Sequence, residues 1–168
     1  TMLCDFCLKS GVLCSVCKEK VRSGEISQTY LNVAKLLVDL ERKYGPIKIS
    51  LYDVVEVGTT VALLVGHGDI PNILGRGGRI IKEIERRMGK DVKVLEKGTT
   101  DRKFLEDLFA PLPVVTTNKI WLPDGTTETR VILSNKSRKL PLNIESLKKI
   151  AKEIRGLSLR VEFESGRR

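Results

Sequence analysis

The stretch Leu74-Gly75-Arg76-Gly77-Gly78-Arg79-Ile80-Ile81-Lys82-Glu83-Ile84 decides how the rest of this chain is read. Gly75 and Gly78 bracket two variable positions, Arg76 and Gly77, in a G-x-x-G turn. Glycines let the backbone bend sharply there, and a ligand can approach closely because no Cβ intervenes. A helix is predicted behind the turn, from Arg79 to Met88. Its apolar face carries Ile80, Ile81, Ile84 and Met88, and its other side Lys82, Glu83, Glu85, Arg86 and Arg87. A helix that starts at such a turn directs its free N–H groups outward and favours an anion. Arg76 and Arg79 add positive charge at the same place, so the arrangement suits a phosphate. Other phosphate loops fit worse: no G-x-x-x-x-G-K-[ST] occurs, and Gly66-His67-Gly68 lacks the third glycine of a dinucleotide fingerprint.

Upstream, Ser27 and Thr29 are candidate caps for a helix from about Thr29 to Tyr44, ended by Gly45-Pro46. Ile47 to Val57 and Val61 to Val65 read as two strands around a Gly58-Thr59-Thr60 turn. A short helix, Ile70 to Leu74, tolerates Pro71 in its first turn and leads into the glycines. Asp69 is placed to cap it. Downstream, Asp91 to Glu96 is a third strand.

The same order then returns. Asp101 to Ala110 is a helix stopped by Pro111 and Pro113. Val114 to Leu122 and Thr127 to Leu133 are strands about a Pro123-Asp124-Gly125 turn. Asn143 caps a helix that Gly156 ends, and Leu157 to Phe163 is a last strand. This is a weak internal repeat without the glycine turn. Asn135-Lys136-Ser137-Arg138-Lys139-Leu140-Pro141 stands in its place, and its cations either meet phosphates or form a solvated loop.

The glycine string, with isoleucines at 81 and 84 and two strands upstream, resembles the KH domain. The element order resembles the type II, prokaryote-style form. The resemblance implies a turn that clamps the backbone of about four nucleotides of single-stranded RNA or DNA. Under it, Gly75, Arg76, Gly77, Gly78, Arg79 and Lys82 are the phosphate-gripping residues, with Arg86 a weaker candidate. Ile70, Ile73, Leu74 and Ile81 are candidates for an aliphatic floor under the bases, against the plainer reading of core packing.

Cys4-Asp5-Phe6-Cys7 and Cys14-Ser15-Val16-Cys17 hold all four cysteines of the chain. Two C-x-x-C pairs facing each other close a four-sulfur tetrahedral site, which suits structural zinc. Two disulfides, loose thiols or an iron–sulfur cluster are weaker fits to the spacing and to a reducing compartment. A closed thiolate shell leaves no open position for substrate, so the metal would fold a segment too short for its own core. Lys9, Lys18, Lys20 and Arg22 surround it.

The expected fold class is therefore α+β: a zinc knuckle over 2–26, a KH domain over 27–98, and a degenerate KH domain over 99–166. Each KH unit has a three-stranded sheet with helices packed on one face. Tandem type II KH domains behind a cysteine knuckle resemble archaeal NusA-like transcription elongation and termination factors. That resemblance implies RNA as partner, with RNA polymerase or a ribosomal subunit as docking sites in a rival adaptor reading.

Composition agrees with a polyanionic partner. The 168 residues carry a formal charge of +9, with 41% hydrophobic residues and 5% aromatic. Few aromatics argue against broad stacking platforms. The shortage of Gln beside abundant Lys, Arg and Glu leans towards a thermophile. Neither a bilayer-spanning run nor a signal pattern appears, so a cytoplasmic protein is expected. Catalysis is not expected: His67 is the only histidine, with no partnered nucleophile. Trp121 reads as a core or edge anchor before a base stacker, and Tyr30, Tyr44 and Tyr52 are ambiguous.

Overall fold

The computed structural model describes residues 3–135 and 143–165. It is a mixed α+β protein with two three-stranded sheets and an N-terminal four-cysteine cluster, consistent with a knuckle followed by two KH-like domains. The chain divides into two compact units, Thr1–Gly98 and Thr99–Arg168.

The first unit opens with two short helices, α1 (Asp5–Ser10) and α2 (Ser15–Arg22), followed by α3 (Gln28–Tyr44). Ser27 caps α3, its Oγ accepting the Tyr30 N–H at 3.1 Å. Tyr30, Val33, Ala34, Leu37 and Leu40 form the buried stripe of α3. Leu3, Cys7, Leu8 and Cys17 join the same core, so the cysteine segment and residues 27–98 are packed as one body. Tyr30 ties them together: its hydroxyl accepts the Leu3 N–H at 3.2 Å and donates to the Leu51 carbonyl at 2.5 Å. Burial pushes that phenol up to about 12, and it stays a donor.

The first strand begins later than periodicity suggests. Residues 47–50 stay outside the ladder, and β1 is Leu51–Val57. Pro46 offers no N–H, and the Ile49 N–H is turned back to the Ile47 carbonyl at 3.1 Å. β2 (Thr60–Val65) pairs antiparallel with β1, with Gly58 at φ 58° in the hairpin. β3 (Asp91–Glu96) pairs parallel with β2, from Thr60 opposite Asp91 to Val65 opposite Glu96. A parallel pair needs a crossover. Here it is α4 (Ile70–Leu74), a 3₁₀ turn (Arg76–Gly78) and α5 (Arg79–Met88). Ile73, Ile80 and Ile84 are fully buried beneath it, each stabilising the unit by about 1.5–3 kcal/mol.

The second unit repeats the strand order. α6 (Asp101–Phe109) is capped by Thr100 and buries Phe104, Leu105, Leu108 and Phe109. β4 (Val114–Trp121) and β5 (Thr127–Leu133) are antiparallel, and β6 (Leu159–Phe163) runs parallel to β5. α7 (Ile144–Arg155) is the described helix of that crossover, capped by Asn143, whose Oδ1 accepts the Ser146 N–H at 3.2 Å. Gly156 ends α7 with φ 70°. The Leu157 N–H is spent on the Ala151 carbonyl in this cap, so the last strand starts at Leu159 and not at Leu157. The cations Lys136, Arg138 and Lys139 lie outside the described residues. Among the described residues, no helix is long and apolar enough to cross a membrane.

Candidate nucleic-acid interface and metal centre

The glycine turn is built from three glycines with two different needs. Gly75 is extended (φ −65°, ψ −176°), but a Cβ there would stand 2.8 Å from the Pro71 carbonyl oxygen. Steric room fixes that glycine. Gly77 and Gly78 take φ 70° and 73° with open space around them, so backbone conformation fixes those two. Gly77 is thus constrained as well, although it occupies a variable position of the G-x-x-G pattern. Gly78 is the N-cap of α5 and supplies no side-chain acceptor. The first-turn N–H groups of α5 therefore have no cap from that position.

Arg79 and Lys82 are exposed on the first turn of α5, and neither pairs with a carboxylate among the described residues. Arg86 and Arg87 differ. Arg86 grips Glu83 at 2.9 and 2.8 Å, and Arg87 reaches Glu83 at 3.3 Å and Asp39 at 3.7 Å. The Arg86 hydrogen bond holds the Glu83 carboxyl down at about 2. The helix therefore keeps free cations at its N-terminal end and neutralised ones further along.

Beside the turn lies a cleft of about 420 Å³ lined by Pro46, Lys48, Pro71, Asn72 and Gly75. Asn72 Nδ2 donates to the Lys48 carbonyl at 2.8 Å and joins the two walls. Pro46, Lys48 and Asn72 were not legible as site residues. The available signal was Pro46 itself, which frees residues 46–50 from the sheet to run beside α4. Of the four floor candidates, Ile73 and Ile81 are core residues and Ile70 is half-buried. Leu74 alone is open, 44% exposed. Ile73 thus supports the turn from beneath and presents no surface.

Asp69 does not cap α4. Its Oδ2 accepts the Ser50 N–H at 2.8 Å and the Gly66 N–H at 3.1 Å, joining the start of β1 to the end of β2. The cap comes from Glu96, at the far end of β3, whose Oε2 accepts the Ile70 N–H at 3.0 Å. A carboxylate directly after the apolar pair Val94-Leu95 at the strand's end was the visible hint. His67 is exposed in the loop before α4.

The cysteines come together as their spacing requires. Cys4 and Cys14 are the N-caps of α1 and α2, so Cys7 and Cys17 lie in the first turn of each helix. Each C-x-x-C pair is presented by a helix start, where the N-cap and the third helical residue already share one side. The bonding is reciprocal: the Cys4 N–H donates to Cys17 Sγ at 3.4 Å and the Cys14 N–H to Cys7 Sγ at 3.1 Å. All four Sγ atoms lie within 4.8 Å of one another, and the thiols are free of disulfides. A tetrahedron with arms of about 2.3 Å has edges of about 3.8 Å, which this spacing brackets. Burial pushes the Cys7 thiol up to about 12, while the Cys17 N–H draws Cys14 down to about 6. Four convergent sulfurs, Cys7 and Cys17 buried and Cys4 and Cys14 towards the surface, form a set able to hold a metal ion.

No known family profile matches the chain. Over 74 residues it is 31% identical to the probable transcription termination protein NusA of Methanocaldococcus jannaschii. That match covers 44% of this chain and 39% of the relative, so the likeness spans about two fifths of that protein. The crystal structure of APE1850 superposes with a TM-score of 0.48 at 16% identity, covering 77% of this chain and 96% of that one. Over that segment, and no further, the chain is similar in sequence to a NusA protein.

Proposed function

We propose that the protein binds single-stranded RNA through the Gly75-Arg76-Gly77-Gly78 turn, in the manner of a KH domain, and serves as a NusA-like transcription elongation or termination factor. The observation that carries the reading is the start of α5: a helix entered through two left-handed glycines, uncapped by side chains, with Arg79 and Lys82 unpaired beside an open cleft. Backbone N–H groups and cations take the phosphates, and the cleft beside Gly75 with Leu74 receives bases. The NusA likeness supports the transcription role. Cys4, Cys7, Cys14 and Cys17 hold zinc, which anchors the N-terminal segment to α3 and takes no part in chemistry.

Fluorescence anisotropy with single-stranded RNA across a salt series tests this. Arg79→Glu with Lys82→Glu alters two exposed side chains. Affinity should fall by about tenfold or more, and the salt slope should flatten by roughly 0.7 for each phosphate no longer neutralised. RNA affinity that ignores both changes would remove the turn from the interface.

A second reading has its own observation. Phe6, Val12 and Val16 on the cysteine segment are 67%, 64% and 63% exposed. Apolar side chains left open in this way suit a protein partner such as RNA polymerase or a ribosomal subunit, with RNA binding secondary. Phe6→Ser with Val16→Ser should abolish co-sedimentation with whichever assembly binds, while RNA affinity stays unchanged.

A further inference from the structure

The single tryptophan lies outside every core. Trp121 closes β4 and is 74% exposed, although tryptophan is among the side chains that gain most from burial. Strand register shows what surrounds it. Thr117, Lys119 and Trp121 point to one face of the second sheet, opposite Val131, Thr129 and Thr127 of β5. Further along that face Val131, Leu133 and Leu159 are buried. The face is thus core at one end, and at the hairpin end it is open and ends in an indole.

Its charge is one-sided. No carboxylate occupies that face of β4 or β5. Glu128 lies on the opposite face beside Arg160, and Arg130 there holds Glu162. Asp124 in the turn is engaged by the N–H and hydroxyl of Thr126 at 3.0 and 2.6 Å. Lys119 is exposed and has no partner among the described residues. Lys152 of α7 reaches the Ser158 hydroxyl at 3.1 Å, and the Ser158 carbonyl accepts the Thr129 N–H at 2.8 Å. A second ammonium is therefore held on Ser158, whose carbonyl meets the residue across the ladder from Lys119.

We infer that Trp121 is a base-stacking platform for single-stranded RNA, with Lys119 and Lys152 meeting the adjoining phosphates. An indole face accepts any base, and a lysine with no carboxylate on its sheet face suits a polyanion. The inference rests on the RNA reading above. It adds a binding surface in the second unit, where the glycine turn is missing.

The test uses the full chain and its one tryptophan as an intrinsic probe. Titration with a uridine oligonucleotide should quench Trp121 emission with the midpoint that anisotropy gives. Trp121→Ala should weaken binding by about tenfold, and Trp121→Phe should keep most of it. Anisotropy that responds to Arg79→Glu and Lys82→Glu but not to Trp121→Ala, without quenching, would overturn this inference and leave the turn as the RNA grip. Binding that needs Trp121 but ignores the turn would do the reverse. Absence of RNA binding would remove both. A blue shift of emission with rising protein concentration and no RNA would assign the indole to a protein interface and overturn the inference.

Discussion

In the first unit the chain passes from β2 to β3 through α4, a turn with two glycines at positive φ, and α5. In the second it passes from β5 to a parallel β6 with α7 as the described helix, started by an ordinary Asn143 cap. Both sheets have the same strand order. A parallel strand pair requires a crossover and nothing more, so the glycine turn is not what this fold needs to close. The corresponding stretch of the second unit, residues 134–142, has no glycine in its sequence, so the left-handed turn at Gly77 and Gly78 is a feature of the first unit that the proposed binding role accounts for. The contrast extends to charge. Unpaired cations stand at the start of α5, whereas the second sheet keeps its open lysine beside an exposed indole.

Metal removal would break the comparison most strongly. Chelation should unfold residues 3–22 and loosen α3, since metal binding to such segments is worth about 10–16 kcal/mol. Hydrogen exchange followed by mass spectrometry should show protection lost in the first unit and retained in 101–133; equal loss in both would contradict it. Next comes Tyr30→Phe, which strands the buried Leu3 N–H and Leu51 carbonyl. About 1–3 kcal/mol of stability should go, read by urea unfolding, with no counterpart in the second unit.

The second unit has its own tie. Arg155 stacks on Phe104 at 4.4 Å and donates to the Thr99 carbonyl at 2.7 Å. Arg155→Ala should cost about 1–2 kcal/mol and leave RNA affinity through the first unit's turn unchanged. Gly77→Ala sharpens the contrast at the turn itself: at φ 70° it should cost about 1 kcal/mol and weaken RNA binding without altering charge. The smallest effect is acid-dependent. Glu83 has an ordinary value of 4.5 and is held at about 2 when folded. Its contribution is complete above the ordinary value and disappears as pH falls towards the lower one. Glu83→Gln should be less stable than the parent above the ordinary value, with a deficit that shrinks as pH falls through that window, seen in melting temperature against pH.

Much of this was legible because it is local. The helix from Arg79 to Met88 and the strand from Asp91 to Glu96 follow from apolar periodicity closed by Gly89, and both stand in the structure with those limits. The cysteine spacing foretold a converging set, which the four sulfurs form. Other assignments failed where a distant group competed for a local one. Asp69 is next to α4 in sequence, yet Glu96 caps it, because the parallel pairing of β3 brings that carboxylate to the helix start. Ile73 has the spacing of a floor residue, but packing of α4 over the sheet buries it. Trp121 reads as a core or edge anchor from its residue type, yet at the hairpin end of β4 it is exposed.

Sequence by itself determined the α+β element order, the repeat, the glycine turn and the metal-ligating set. These depend on residues a few positions apart, whose geometry the backbone already fixes. Tertiary structure alone decided which cations stay unpaired, which apolar residues remain at the surface, and which loop lines the cleft beside Gly75. Those outcomes depend on partners as far apart as Lys48 and Asn72, and no local pattern records which side chain will meet a neutralising or covering neighbour.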